Sequence, residues 1–175
     1  MLVALRGGIV TDLLTHRLTP LIKALGVGFP HRVASTGGKY FFTDRREIPD
    51  LVNVTVEYAG GPSVYLMSAM ACPNDLPRYI EGPQGTIRFT GNGFEVLNAR
   101  GGVVDTVSNS YGSVDVEHRI EHAKNFFHCI HTREQPVCDA QFGYQIMTIL
   151  HMAVHSYLGG KVYEFDAETE TARSI

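Results

Sequence analysis

Two residues one helical turn apart open the search for chemistry. Asp12-Leu-Leu-Thr-His16 sets a carboxylate and an imidazole at an i, i+4 spacing, where side chains on a helix are neighbours at about 5–6 Å between Cβ atoms. A carboxylate beside an imidazole favours its protonated form, orients the ring and offsets the charge that develops as the ring takes a proton. That is general acid–base chemistry, suited to a substrate hydroxyl. With about 100° between successive residues, Thr19 and Lys23 fall on the same stripe as Asp12 and His16, opposite Val10, Leu21 and Leu25. One face of such a helix is core and the other is polar.

The remaining constellations carry less. There are eight histidines, and His118-Arg-Ile-Glu121-His122 fits the pattern of two zinc ligands one turn apart with a Glu that activates water. A third ligand is required, and the acids of the final stretch, Glu164, Asp166 and Glu168, have no helical motif around them, so surface histidines are the preferred reading. His151 and His155 share a helix face without a Glu between them and are expected half-buried on a packed helix. Gly26-Val-Gly28 and Gly91-Asn-Gly93 lack the third glycine and the strand-then-helix setting of a dinucleotide turn, and there is no nucleophile elbow or phosphate-cradling loop. Cys72, Cys129 and Cys138 are odd in number without a Cys-x-x-Cys, which points to free thiols in a reducing compartment, buried or half-buried.

The elements that must position the Asp/His pair follow from periodicity. Apolar residues at three- and four-residue spacing predict a helix over residues 9–25, with Gly26 as its stop and Pro20 inside it as a kink. Residues 32–36 read as extended, Gly37-Gly38 as a bend or bulge, and 39–43 as a continuation before the charged loop 44–50. Val52, Val54, Val56 and Tyr58 alternate with Asn53, Thr55 and Glu57, then Gly60-Gly61-Pro62 turns the chain into a second strand over 63–71. Both alternating sets of that strand are largely apolar; helices can cover one sheet face, and for the other the strand alone leaves two readings, a second copy of the chain or a few Tyr and Met on an exposed face. Further strands are read at 86–89 and 94–98, the second after Gly91-Asn92-Gly93. After Gly112 the helical period returns in two segments separated at Gln135-Pro136. The first carries Val116, Ile120, Ala123, Phe127 and Ile130, the second Ala140, Tyr144, Met147, Leu150 and Val154. Gly159-Gly160 ends the second, and residues 161–165 read as a closing strand before a polar tail. The chain of 175 residues thus reads as one α+β domain, an open and mostly antiparallel sheet with helices on one face and the other face available for oligomerisation.

Composition excludes several partners. A net charge of −3 leaves no basic footprint for nucleic acid or an anionic membrane, and no apolar run approaches the ~20 residues a spanning helix needs. A cytoplasmic protein is expected.

An ordered set of segments resembles the C-terminal domain of the glucose-fructose oxidoreductase, inositol dehydrogenase and MocA family (Gfo/Idh/MocA). The segments are Gly7-Gly8 through Asp12 to His16, Pro30 to Tyr40 with its Gly-Gly, Arg46-Glu47-Ile48-Pro49-Asp50, Ile80-Glu81-Gly82-Pro83-Gln84-Gly85-Thr86, His122 through Asn125 and Arg133 to Pro136, and Ser156-Tyr157 through Gly160-Lys161 to Asp166. The resemblance implies a domain that follows a Rossmann domain binding NAD or NADP, contacts substrate and pairs subunits through the free sheet face. It implies hydride transfer between a sugar or polyol carbon and nicotinamide, with His16 the acid/base on the hydroxyl and Asp12 its partner. Thr19, Lys23, Lys39 and Tyr40 are the candidate substrate contacts. His122, Asn125 and Arg133 are read as capping and packing residues. The nucleotide-binding half is missing, so this chain is expected to bind no cofactor alone and to be inactive alone. A non-catalytic dimerisation or scaffold module, and a hydrolase or lyase on the same scaffold, are the alternatives.

Overall fold

The computed structural model describes residues 8–45, 48–72, 76–91, 93–108 and 116–175, with side chains from 119 onward in the last range. The expectations placed on Gly7, Arg46, Glu47, Asn92, Gly112 and the His118 side chain lie outside the described residues. The fold is α+β, with three helices and two antiparallel sheets among the described residues. The chain forms two compact units, residues 1–73 with 138–175, and residues 74–137.

The larger unit holds α1 (Leu13–Leu25), β1 (Arg32–Gly38), β2 (Leu51–Glu57), β3 (Ser63–Ala69), α3 (Ala140–Gly159), β8 (Tyr163–Asp166) and β9 (Thr171–Ser174). Its five strands are ordered β3-β2-β1-β8-β9. Alternation in β1 to β3 sends Val33, Val52, Val54, Val56, Val64 and Leu66 to one face, and all are buried. Leu14, Leu18 and Ile22 of α1 and Ile146, Ile149, Leu150 and Ala153 of α3 join the same core, closed by Phe165 of β8. Burying so many branched side chains at about 1.5–3 kcal/mol each supplies the main favourable term. α3 begins where the Asp139 carboxylate accepts the Phe142 amide at 2.7 Å and ends at Gly160 in the left-handed region, φ 62.

Several sequence expectations shift. α1 starts at Leu13 rather than at residue 9, because residues 8–12 form a turn, and the helix runs on through Pro20. The β1–β2 register continues without a bulge to Gly38↔Leu51, and the two glycines serve close approach: a Cβ at Gly37 would meet the Leu51 carbonyl oxygen. Residues 39–43 are a loop, not strand. The polar tail forms β9, joined to β8 where Arg173 Nη2 donates to Glu164 Oε2 at 2.9 Å across the pair. That bond holds the Glu164 carboxyl below its usual range, helped by the nearby charges of Arg173, His31 and Arg32. The opposite sheet face exposes Tyr65 and Met67 of β3 beside Asn53 and Thr55 of β2.

The smaller unit is the meander β4 (Arg78–Gly82), β5 (Gly85–Thr90), β6 (Gly93–Asn98) and β7 (Val103–Ser108), then α2 (Val116–Thr132). Both β4 and β7 lie beyond the strands read from sequence. Ile120, Phe127 and Ile130 of α2 are exposed and Cys129 is buried, so the apolar period of this segment marks the helix without marking its covered face. Asn125 Oδ1 accepts the Val137 amide at 3.0 Å, and Arg133, with φ 65, donates its amide to the Cys129 carbonyl. Arg133 ends the helix, and Asn125, mid-helix, holds the segment that follows it. Cys72 and Cys138 are exposed free thiols rather than buried or half-buried, because neither lies on a core-facing strand or helix position.

Two polar groups of the larger unit's core generate predictions. The Ser156 hydroxyl accepts the Ser35 amide at 2.8 Å, tying the middle of β1 to α3. Ser156→Ala leaves that buried amide without its partner and should cost about 1–3 kcal/mol, read from the urea midpoint at unchanged m-value. Burial pushes the Tyr58 phenol up to about 12. Its folded value lies above its unfolded one, so its contribution is complete below about pH 10 and is lost as pH rises towards 12. Among the described residues the Tyr58 hydroxyl has no partner, so Tyr58→Phe should keep or raise neutral-pH stability and flatten the alkaline decline in a urea titration between pH 9 and 12.

Candidate active site

The turn leading into α1 is built on Gly8. Its φ of 50 is in the left-handed region, and the place a Cβ would take is filled by the Ile48 side chain. The Gly8 carbonyl accepts the Asp12 amide at 2.9 Å and the Ile9 carbonyl accepts the Leu13 amide at 3.2 Å, delivering Asp12 to the helix start. Asp12 has helical dihedrals, φ −91 and ψ −67, and its side chain caps nothing. This distinguishes it from Asp139, which is spent on capping α3.

Because Leu14, Leu18 and Ile22 face the core, Asp12 and His16 face out, and both are exposed. Among the described residues no ion pair or side-chain hydrogen bond joins them, so they share a face without closing a pair. Pro20 has no amide to give, which removes the intrahelical donor for the His16 carbonyl. Thr19 is half-buried and donates its hydroxyl to the Thr15 carbonyl at 2.7 Å. Lys23 lies at the other end of α1, its Nζ 5.9 Å from the centroid of the Phe142 ring. Eleven residues at 1.5 Å rise separate it from Asp12 by roughly 16 Å, more than one small ring spans.

Lys39 and Tyr40 lie on the loop that follows β1, and contact of Ile48 with Gly8 brings this loop against the turn that carries Asp12. Lys39 Nζ lies 3.4 Å from the Asp44 carbonyl oxygen. The loop is organised by Asp50, a residue that periodicity does not single out. Buried at 3% exposure, it accepts the amides of Tyr40, Phe41 and Phe42 on its carboxylate at 2.8–3.0 Å. Its sequence signals were its position after Pro49 and just before an alternating strand, and its place at the end of the family-like segment 46–50.

Every strand pairing among the described residues is antiparallel. None presents the parallel strand-turn-helix unit whose helix N-terminus holds a pyrophosphate, so these residues do not fit a dinucleotide. No group of three metal-ligating side chains occurs among them, and no helix among them is long and apolar enough to cross a membrane.

The contrast between the two aspartates yields a prediction. Asp139→Ala should lower stability by about 1 kcal/mol through the lost cap. Asp12→Ala should leave the denaturation midpoint within the error of the wild type. Equal losses for both variants would make Asp12 a structural residue.

No protein-family model and no curated protein sequence matches the chain. Solved structures do. A protein from Desulfitobacterium hafniense named as an NADPH-dependent oxidoreductase superposes with a TM-score of 0.71 at 18% identity, over 91% of this chain and 48% of its own. An oxidoreductase from Agrobacterium radiobacter, solved with NAD+, L-tartaric acid and magnesium, gives 0.68 at 17% identity, over 87% and 48%. A myo-inositol dehydrogenase from Corynebacterium glutamicum gives 0.58 at 15% identity, over 94% and 51%. The chain spans about half the length of each, and at these identities the likeness is one of fold. The structural neighbours of this chain are thus oxidoreductases, a myo-inositol dehydrogenase among them, and its fold matches about half of each.

Proposed function

We propose that this chain is the substrate-binding and subunit-pairing part of an NAD(P)-dependent oxidoreductase acting on a sugar or polyol hydroxyl. The observation that carries the reading is the pair on α1: Asp12 and His16 share the solvent face of a helix whose other face is core, and Asp12 is not spent as a cap. A carboxylate not spent on capping, one turn from an imidazole, supports proton transfer over a structural role. The reaction class is the two-electron oxidation of a secondary alcohol to a ketone, or its reverse. His16 takes or returns the hydroxyl proton, and Asp12 sets the ring's orientation and offsets its charge. Lys39 and Tyr40 position the substrate from the adjoining loop, and Thr19 and Lys23 extend the polar stripe along α1. NAD or NADP has to be held by residues other than these, so the chain by itself turns nothing over.

The outer sheet face serves a second copy of the chain. Tyr65, 76% exposed, and Met67, 47% exposed, form an apolar strip on β3, while Glu164 with Arg173 and Arg32 puts charge on the far strands. A strip of apolar surface flanked by charge suits a two-fold contact in which each copy presents the same patch.

Two measurements test this. Titrating the chain with NADH should give no saturable change in nicotinamide fluorescence, and tight binding would overturn the division of labour. Joined to a nucleotide-binding domain, the chain should support polyol oxidation, and His16→Ala should lower kcat by about 10²–10⁴ with a small change in KM. Unchanged turnover in that variant would favour a scaffold role.

A further inference from the structure

The loop after β1 is pinned where it leaves the strand. The buried Asp50 uses every polar group it has. Its carboxylate accepts the amides of Tyr40, Phe41 and Phe42, its amide donates to the Gly38 carbonyl at 3.0 Å, and its carbonyl accepts the Met70 amide at 2.8 Å. Three successive amides directed at one carboxylate fix the backbone of three residues through charge-assisted bonds, which are stronger than neutral ones. The Tyr40 side chain then folds back over the strand end: a Cβ on Gly38 would lie 2.8–3.0 Å from its Cζ, Oη and Cε2 atoms. Glycine at 38 is what gives the ring its seat.

What is held so firmly is not core. Tyr40 is 74% exposed and Phe41 67% exposed. Leaving two rings in water while a buried charge orders the backbone beneath them has no return in folding energy. It gains affinity for a ligand, because an aromatic ring with its backbone already fixed loses little freedom on binding. The ligand must offer a flat apolar surface to the ring and polar groups around its edge. A cyclic polyol or a sugar has that shape, with axial C–H groups on a face and hydroxyls at the rim. The contact of Ile48 with Gly8 ties the far end of this loop to the turn that delivers Asp12.

We propose that Tyr40, seated on Gly38 and fixed by the Asp50 clamp, is the stacking face for the C–H surface of a cyclic polyol or sugar, with Gly38 and Asp50 as positioning residues. This rests on the substrate class inferred above.

Saturation-transfer NMR on the intact chain, with myo-inositol and D-glucose as probes and glycerol as an acyclic control, tests it. The wild type should transfer magnetisation to the ring C–H protons of a cyclic probe and much less to glycerol. Tyr40→Ala should weaken binding of that probe about two- to tenfold, while Tyr40→Phe should retain it. Gly38→Ala leaves the clamp in place but takes the ring's seat, and should weaken binding likewise. Asp50→Asn should speed amide hydrogen exchange at residues 40–42 and reduce the transfer. If that variant does not fold, the Tyr40 and Gly38 variants decide the ligand claim.

The proposal is overturned if wild-type transfer survives Tyr40→Ala or Gly38→Ala, if glycerol matches the cyclic probes, or if neither cyclic probe shows transfer. Survival in Tyr40→Ala together with loss of turnover in His16→Ala of the joined enzyme would sink the platform alone. Loss in Tyr40→Ala with full turnover in His16→Ala would sink the acid–base reading alone.

Discussion

One face of the five-stranded sheet has to be kept from water, and that requirement organises the larger unit. Its valines, with Leu66 and Phe165, form an apolar surface that α1, the turn before it and α3 cover. α1 therefore cannot rotate: Leu14, Leu18 and Ile22 are committed inward at negligible exposure. A helix with 3.6 residues per turn then has no choice about which residues it turns outward. Asp12 and His16 face solvent because leucines two residues further along face valines. The candidate chemistry is thus a by-product of packing, and anything that loosened the α1–sheet contact would also re-aim the pair.

A second constraint acts on the loop that adjoins it. Asp50 is a carboxylate almost wholly removed from water, a costly place for a charge unless its oxygens are satisfied. Three backbone amides satisfy it, and the strand ends at Gly38 and Met70 are tied to the same residue. The loop is ordered by one buried charge rather than by an apolar cluster of its own, which leaves its aromatic side chains free to meet solvent. Loops that carry function on a rigid scaffold are commonly built this way. Here the scaffold is the same sheet whose inner face fixes α1, so both parts of the candidate site refer to one frame.

The solved structures that resemble this chain are twice its length, and the likeness covers nearly all of it. That proportion agrees with what the strands say for themselves. Antiparallel sheets can leave one face uncovered and do not form the helix-crossed parallel unit that cradles a pyrophosphate. A fold of this kind contributes surfaces: a helix face carrying Asp12 and His16, a pinned loop, and a sheet face with an apolar strip at Tyr65 and Met67.

Local periodicity was enough for much of this. Alternation over residues 52–58, the 3.6-residue stripe of α1 and the long apolar helix ending at Gly160 were legible because each depends on neighbours within a few positions. The order helix, sheet, two helices, and the outward side of Asp12 and His16, were legible for the same reason. The resemblance to a known family extended that to a whole architecture. What tertiary structure alone decided involves partners distant in sequence. Residues 39–43 read as strand, but Asp50 takes the amides a strand partner would need. The tail reads as polar, yet pairs as β9 with β8, where Glu164 stands opposite Arg173. Ile120, Phe127 and Ile130 repeat as a core face would and are nonetheless exposed. A repeat fixes which side chains share a side. It does not say what, if anything, lies against that side, because that depends on where other segments fold.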